Sequence, residues 1–254
     1  MLSYWTGVEH EGTRAELIWY LCLAAAIGAL LYVARDLEWA TVWRYRQFLL
    51  RGLATTLVLT VLSIGFGMIV AVVLASARMY GSRWLRYTAT AIIEIVRAIP
   101  QLLILLWVFF VLPEVTGKTF TPELSAVLAL TIIAAAYLAE VIRGGLMSVD
   151  RLQFESGYAT GLSKAAIFIS IVLPQAIRNM LPALLATWIM LFKTTTLAYV
   201  IGIVEFFHAA TIVNSRELIP YTTYAMLAIV YFVCCYVISV IVRRMDPKYV
   251  LRSA

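Results

Sequence analysis

Apolar residues fill long stretches of this chain, and polar residues collect between them. A helix needs about 20 apolar residues to cross the hydrocarbon of a bilayer. Six stretches meet or approach that length. Residues 17–34 are charge-free and just long enough, and residues 52–77 are the clearest case. The third stretch starts near Tyr87, is interrupted by Glu94 and Arg97, and runs apolar to Leu112. Residues 124–139 follow, then 180–204, continuing past Lys193, and finally 218–242. The pattern predicts an all-α polytopic membrane helix bundle, with five core transmembrane helices and an extra N-terminal one. Within 52–77, Ser63, Gly67, Ala71 and Ala75 recur every four residues. Small residues at that spacing let two helices approach closely in lipid, so this face is expected to pack on protein.

Composition agrees. Of 254 residues, 63% are hydrophobic and 13% charged, against about 45–50% and about 25% in soluble domains. Such a chain would expose large apolar patches in water, so its solvent is lipid. The net charge of +6 then belongs to loops, not to nucleic-acid binding. Arg78, Arg83 and Arg86, then Arg143, Arg151, Lys164 and Arg178, then Arg243, Arg244, Lys248 and Arg252 fall in alternate connections. The intervening connections, 113–123 and 205–217, carry only Lys118 and Arg216. Basic residues accumulate on the cytoplasmic side, so the loop 140–181 and the C-terminus are expected there. Residues 35–51 break this alternation with Arg35, Arg44, Arg46 and Arg51. Trp39, Trp43 and Tyr45 suit a segment lying along the outer interface; the alternative is that residues 17–34 do not span. Glu9, Glu11 and Glu16 against Arg14 give the wrong sign for a cleaved leader. Cys22, Cys234 and Cys235 lie inside apolar runs, and His10 and His208 are far apart, so no disulfide framework or metal site is expected.

The loop ESGYATGLSKAAIFISIVLP, residues 155–174, is the departure from this pattern. It belongs to a polar stretch over 140–181, far longer than the 2–8 residues that usually join bundle helices. Gly161 can end a short helix, and Pro174 and Pro182 are expected to break further turns. A short helix with an exposed polar face, set between spans, suits docking.

The spacing of Glu155, Gly161, Ile171, Leu173 and Pro174 resembles the EAA loop of ABC-importer permeases: Glu-Ala-Ala, three residues, Gly, nine residues, Ile, one residue, Leu-Pro. The stretches TTLVLTVLSI, IEIVRAIPQLL (93–103), AAYLAEVIRGGLMSV (135–149) and LFKTTTLAYVIGIVEFF (191–207) look like the polar amino-acid branch of that family. The resemblance covers roughly residues 48–246; it leaves out an N-terminal segment, 1–47, and a tail, 247–254. Ser156 and Gly157 stand where the pattern has two alanines, and a glycine there weakens the short helix by about 1 kcal/mol relative to alanine. Lys193-Thr194-Thr195-Thr196 lacks the acid of the family's Lys-Asp-Thr-Ser run, and Arg97-Ala98-Ile99-Pro100 departs from Arg-Gly-Thr-Pro.

The resemblance implies a permease subunit of an ABC importer of the bacterial inner membrane, carrying polar L-amino acids, with glutamate or aspartate as candidates. It implies a coupling helix, built from Glu155, Ser156, Gly157 and Gly161 and closed by Ile171, Leu173 and Pro174, that inserts into an ATPase subunit. Expected partners are an ABC ATPase dimer, a second permease, identical or homologous, and an external solute-binding protein. No cofactor is expected on this chain, and ATP and magnesium belong to the ATPase. GKT at 117–119 lacks the upstream glycine of a phosphate loop, and Gly65 and Gly67 lack the third glycine of a dinucleotide fingerprint. The chain is therefore not read as an enzyme. An ion-coupled carrier is the alternative, but no repeat between halves is visible.

Charges at membrane depth are costly and point to function. Glu94 and Arg97, three apart, have the spacing of a mutual ion pair, and Glu140 and Arg143 share it at a span end. Lys193, followed by Thr194, Thr195 and Thr196, is the candidate for a discontinuous helix that meets a polar substrate; the alternative is a pair with Glu94 or another acid. Glu94, Arg97 and Lys193–Thr196 thus form the candidate substrate path. A carboxylate would suit the cations at Arg97 and Lys193.

Overall fold

The computed structural model describes residues 20–21 and 37–245 of the chain. The span expected over 17–34 and the tail over 247–254 fall outside the described residues, apart from the helical Tyr20 and Leu21. The rest of the described chain is helical: α1 (Trp39–Arg44), α2 (Arg46–Tyr80), α3 (Arg83–Ala98), α4 (Gln101–Thr116), α5 (Pro122–Met147), α6 (Arg151–Ala159), α7 (Lys164–Ile201), α8 (Phe206–Glu217) and α9 (Pro220–Met245). Four of these, α2, α5, α7 and α9, are long and apolar enough to cross a bilayer, and α3 with α4 makes a fifth, bent span.

The 35 residues of α2 reach about 52 Å at 1.5 Å per residue, well beyond the ~30 Å of bilayer hydrocarbon. One face of it is buried: Gly52, Thr56, Thr60, Ser63, Gly67, Ala71 and Ala75. This face meets α5, which buries Ala126, Ala129, Ile133 and Ala134. A Cβ on Gly67 would stand 2.5 Å from the Ala134 Cβ, so the close packing expected from the small-residue stripe is observed. The opposite face of α2, with Val58, Val61, Ile69 and Val73, is exposed, as suits a surface solvated by lipid. α2 and α5 run in the same direction, since Gly67 faces Ala134 and Arg78 pairs with Glu140. α7 returns antiparallel to α5. It crosses α5 closely where a Cβ on Gly145 would lie 2.7 Å from the Met180 Cβ.

Three sequence expectations need correction. The third stretch is not one straight span: α3 and α4 meet at 108°. Pro100 has no N–H to continue the helix, and it drives Ile99 into extended backbone, φ −81° and ψ 138°. The loop over 140–181 is shorter than expected. α5 runs on to Met147 and α7 already starts at Lys164, so only residues 148–163 connect them. Pro174 and Pro182 do not break α7. A π-helical segment, Phe168–Val172, ends two residues before Pro174 and takes up the turn whose carbonyl the proline ring would strike. The same device precedes Pro113, with Trp107–Val111.

The aromatic segment expected along the outer interface is split by Tyr45, its first part forming α1 and its last opening α2. α1 is tied to the far end of the bundle, where the Glu38 backbone N–H donates to Thr222 Oγ1 at 3.0 Å and the Tyr45 hydroxyl to Glu217 at 2.5 Å. A second small core there joins Leu49 of α2 to Phe206, Ala209 and Val213 of α8 and Met226 and Leu227 of α9.

Candidate functional site

Three features lie along this bundle. The first is α6, between α5 and α7. Asp150 caps its N-terminus by accepting from the Leu152 N–H at 2.9 Å. At its C-terminus Gly161 takes φ +77°, the Gly161 N–H donates to the Tyr158 carbonyl and the Leu162 N–H to the Gly157 carbonyl. That is a Schellman stop, and Gly161 supplies its left-handed residue. Ser163 then caps α7. The short helix expected to stop at Gly161 is observed as Arg151–Ala159, starting four residues ahead of Glu155.

Gly157 is the buried residue of α6, and a Cβ there would lie 2.7 Å from Ile167 Cγ1. The second small residue of the motif is thus the contact that seats α6 on α7. Ser156 and Glu155 face outward; Glu155 is paired with Arg151 at 3.3 Å in a largely solvated bridge. Leu152 and Tyr158 are exposed as well, 61% and 49%. Apart from Gly157, Phe154 and the Gln153–Gln175 bond, the surface of α6 is exposed among the described residues. Ile171, Leu173 and Pro174 do not form the return from a loop; they lie within α7, with Ile171 in its π segment. Their part is to carry the seat of α6 into a long helix, and Gln175, one residue on, bonds both the Ile171 carbonyl and Gln153 of α6.

The second feature is a five-membered charge cluster at the same end. Glu140 of α5 is bonded by both Arg143, through Nε at 3.1 Å to each oxygen, and Arg78 of α2, at 2.8 Å. Arg78 also reaches Glu94 of α3 at 3.3 Å. Arg97 lies 3.9 Å from Glu94 and 4.0 Å from Glu140, with its guanidinium 5.7 Å from the Tyr137 ring centre. The Glu94–Arg97 pair expected from spacing forms, but as part of a network that ties three helices. Arg78 and Arg143 are its strong members, and sequence reasoning had placed them only as loop charge and an interfacial pair.

The third feature is the elbow of α3 and α4. Gln101, just after Pro100, accepts a hydrogen bond from Thr194 Oγ1 at 2.9 Å. There α7 tightens into a 3-10 segment, Thr195–Ile201, which ends at Gly202 with φ +86°. Two irregular helices thus meet, as in transporters with discontinuous spans. The three threonines do not present free hydroxyls. Thr195 and Thr196 donate to the carbonyls of Phe192 and Lys193, the single Thr194 hydroxyl proton is shared between Gln101 and the Met190 carbonyl, each at 2.9 Å, and Thr195 is only 1% exposed. Lys193 is exposed, and no ion pair among the described residues includes it. Glu94, its suggested partner, is engaged by Arg78 and Arg97. Glu94 and Arg97, on the last turns of α3 just before the elbow, belong to the charge cluster, and no ion pair among the described residues joins either of them to Lys193.

Sequence reasoning missed Glu205. This fully buried carboxylate caps α8, accepting from the Phe207 and His208 N–H groups at 2.8 Å each and from the Thr56 hydroxyl at 3.3 Å. Burial pushes its pKa up, and the three donors oppose that. A lone Glu before Phe-Phe-His reads as an N-cap, but its partner Thr56 lies 149 residues away.

This fold is that of an importer permease: an all-α membrane bundle with an offset elbow and an outlying short helix. The chain belongs to the family of binding-protein-dependent transport system inner membrane components, whose profile matches residues 63–250. It is 36% identical over 206 residues to the L-cystine transport system permease protein TcyB of Bacillus subtilis, covering 79% of this chain and 87% of that one. It is 32% identical over 205 residues to the glutamate/aspartate import permease protein GltK of Escherichia coli, covering 78% and 92%. The solved structure of an amino acid ABC transporter with histidines superposes with a TM-score of 0.77 at 28% identity, over 84% of this chain and 99% of that one. The family assigns a membrane component of a transport system, with ATP hydrolysis on a separate subunit.

Proposed function

We propose that this chain forms the translocation path of an ATP-driven importer of polar L-amino acids and takes its motor strokes through α6. The supporting observation is the surface of α6: a capped helix held to the bundle through Gly157, with Glu155, Ser156, Leu152 and Tyr158 turned outward at the positions of the EAA loop. An ATPase dimer, holding ATP and magnesium, grips this knob. Its closure is passed to α7 as a rigid-body displacement, because Ile167, the residue under Gly157, sits in the first turn of that 38-residue helix. α6 and the C-terminus face the cytoplasm, the side favoured by Arg78, Arg83, Arg86, Arg151 and Lys164. A second permease, identical or homologous, completes the path, and an external binding protein delivers substrate. The names of relatives include both cystine and glutamate/aspartate at similar identity, so the substrate class proposed is the polar amino acid. Glu94, Arg97 and Lys193 are proposed to line the path.

The test is uptake by the complete importer in proteoliposomes. Vanadate should abolish amino-acid uptake, and an ionophore should leave it running. The reverse result would identify an ion-coupled carrier and overturn the proposal.

A further inference from the structure

The charge cluster is unbalanced. Arg78, Arg97 and Arg143 face Glu94 and Glu140, three guanidiniums against two carboxylates. Arg143 takes Glu140 by a two-pronged contact, and Arg78 hydrogen-bonds both acids. Arg97 is left with ionic contacts at 3.9 and 4.0 Å, beyond hydrogen-bond reach, and with the face of Tyr137. Its side chain is 34% exposed. Arg97 is thus the one guanidinium of the cluster that hydrogen-bonds neither carboxylate, although both lie within 4.0 Å of it, and its donors are left for a further acceptor.

Arg97 and Tyr137 line a cavity of about 350 Å³ between α3, α5 and α7, together with Asn179, Met180, Thr187 and Glu140, whose carboxylate is already hydrogen-bonded by Arg78 and Arg143. Ser148 and Asn179, both exposed, belong to its lining, bond to each other at 2.9 Å and lie near the start of α6. The volume is at the small end of ligand pockets, roughly 300–1,000 Å³, and suits one amino acid. The fork of Arg97 matches a carboxylate in geometry as well as charge.

We infer that this cavity is a carboxylate site on the α6 side of the path, in which Arg97 holds the α-carboxylate of an amino acid before it leaves. The inference rests on the function proposed above and adds to it a ligand group, a residue and a place. The occupant completes the cluster: a third anion balances the third arginine.

The experiment uses the purified permease–ATPase complex, with Cys22, Cys234 and Cys235 replaced and Asn179→Cys introduced at an exposed position of the cavity lining. Alkylation of that cysteine is timed with L-glutamate, L-glutamine or L-arginine present, each compared with its α-carboxamide. At least one acid should slow alkylation, and its carboxamide should fail to do so at about tenfold to a hundredfold higher concentration, the range expected for one charge-assisted hydrogen-bonded group. Arg97→Gln should remove the protection, and Arg97→Lys should keep part of it. Equal protection by acid and carboxamide, protection that survives Arg97→Gln, or no protection by any of the three acids would overturn the site. Should Arg97→Gln not assemble, the comparison of acid with carboxamide on the parent complex decides alone. Uptake by the same complex separates the two proposals: uptake without Arg97-dependent protection removes only the site, and protection without vanadate-sensitive uptake removes only the function.

Discussion

At the scale of single residues, this chain is organised by where a methyl group fits. Gly65 and Gly67 sit two positions apart in α2, yet a Cβ on Gly65 would meet nothing within 4 Å, and one on Gly67 would strike the Ala134 Cβ at 2.5 Å. The same substitution should therefore act in opposite directions. Gly65→Ala should hold or raise thermal stability, by up to about 1 kcal/mol of helix propensity. Gly67→Ala should lower it by about 1–3 kcal/mol, the usual cost of overpacking. Paired thermal unfolding curves of the two variants in one detergent check this; equal midpoints would mean that α2 and α5 are not in contact at Gly67. The stripe containing Gly67 was legible in the sequence because close helix contact in lipid demands small residues at fixed spacing. Glu205 was not, because a cap and its distant threonine share no periodicity.

Elements divide the same way. Span positions followed from apolar length alone, because a bilayer imposes that length whatever the fold. The elbow at Pro100 and the survival of α7 through Pro174 and Pro182 did not follow, because a proline has more than one outcome. It ends the helix where the preceding residue turns extended, as at Ile99, and it is tolerated where the preceding turn widens, as at Phe168–Val172, or within a continuous helix, as at Pro182. Local sequence does not choose between them; packing of the neighbouring helices does. α6 was legible in its residues, and its seat on Ile167 was not. That seat gives a prediction for the element as a unit. Leu152→Asp and Glu155→Lys change only the outward face, so they should leave the unfolding midpoint of the isolated permease within the ±0.5 kcal/mol typical of surface changes and still reduce ATPase co-purification and uptake severalfold. Gly157→Leu should lose both coupling and local order, since it drives a side chain into Ile167. A permease carrying both outward substitutions that still bound ATPase and transported normally would remove α6 from the coupling path.

On the scale of the whole molecule, the charge cluster is what joins α2, α3 and α5 where α6 emerges. Apolar packing between helices in lipid lacks the hydrophobic drive it has in water, so a network of five charges contributes orientation that the packed faces alone leave loose. Glu140 is the hub, since Arg78, Arg97 and Arg143 all approach it. Glu140→Gln therefore leaves three cations against Glu94, and it should destabilise the bundle more than Arg78→Gln, which leaves two cations against two acids. Because the two residues share a hydrogen bond at 2.8 Å, the double variant should cost less than the sum of the singles, with an interaction energy of about 0.5–3 kcal/mol. Thermal unfolding of the four proteins of that cycle at low and high salt measures it. The interaction should shrink only modestly with salt, because Arg78 and Glu140 side chains are 19% and 25% exposed and buried pairs are weakly screened. Strict additivity at both salt concentrations would show that the helices are oriented by their apolar faces, and that the arginines at this end serve the ligand and the membrane surface only.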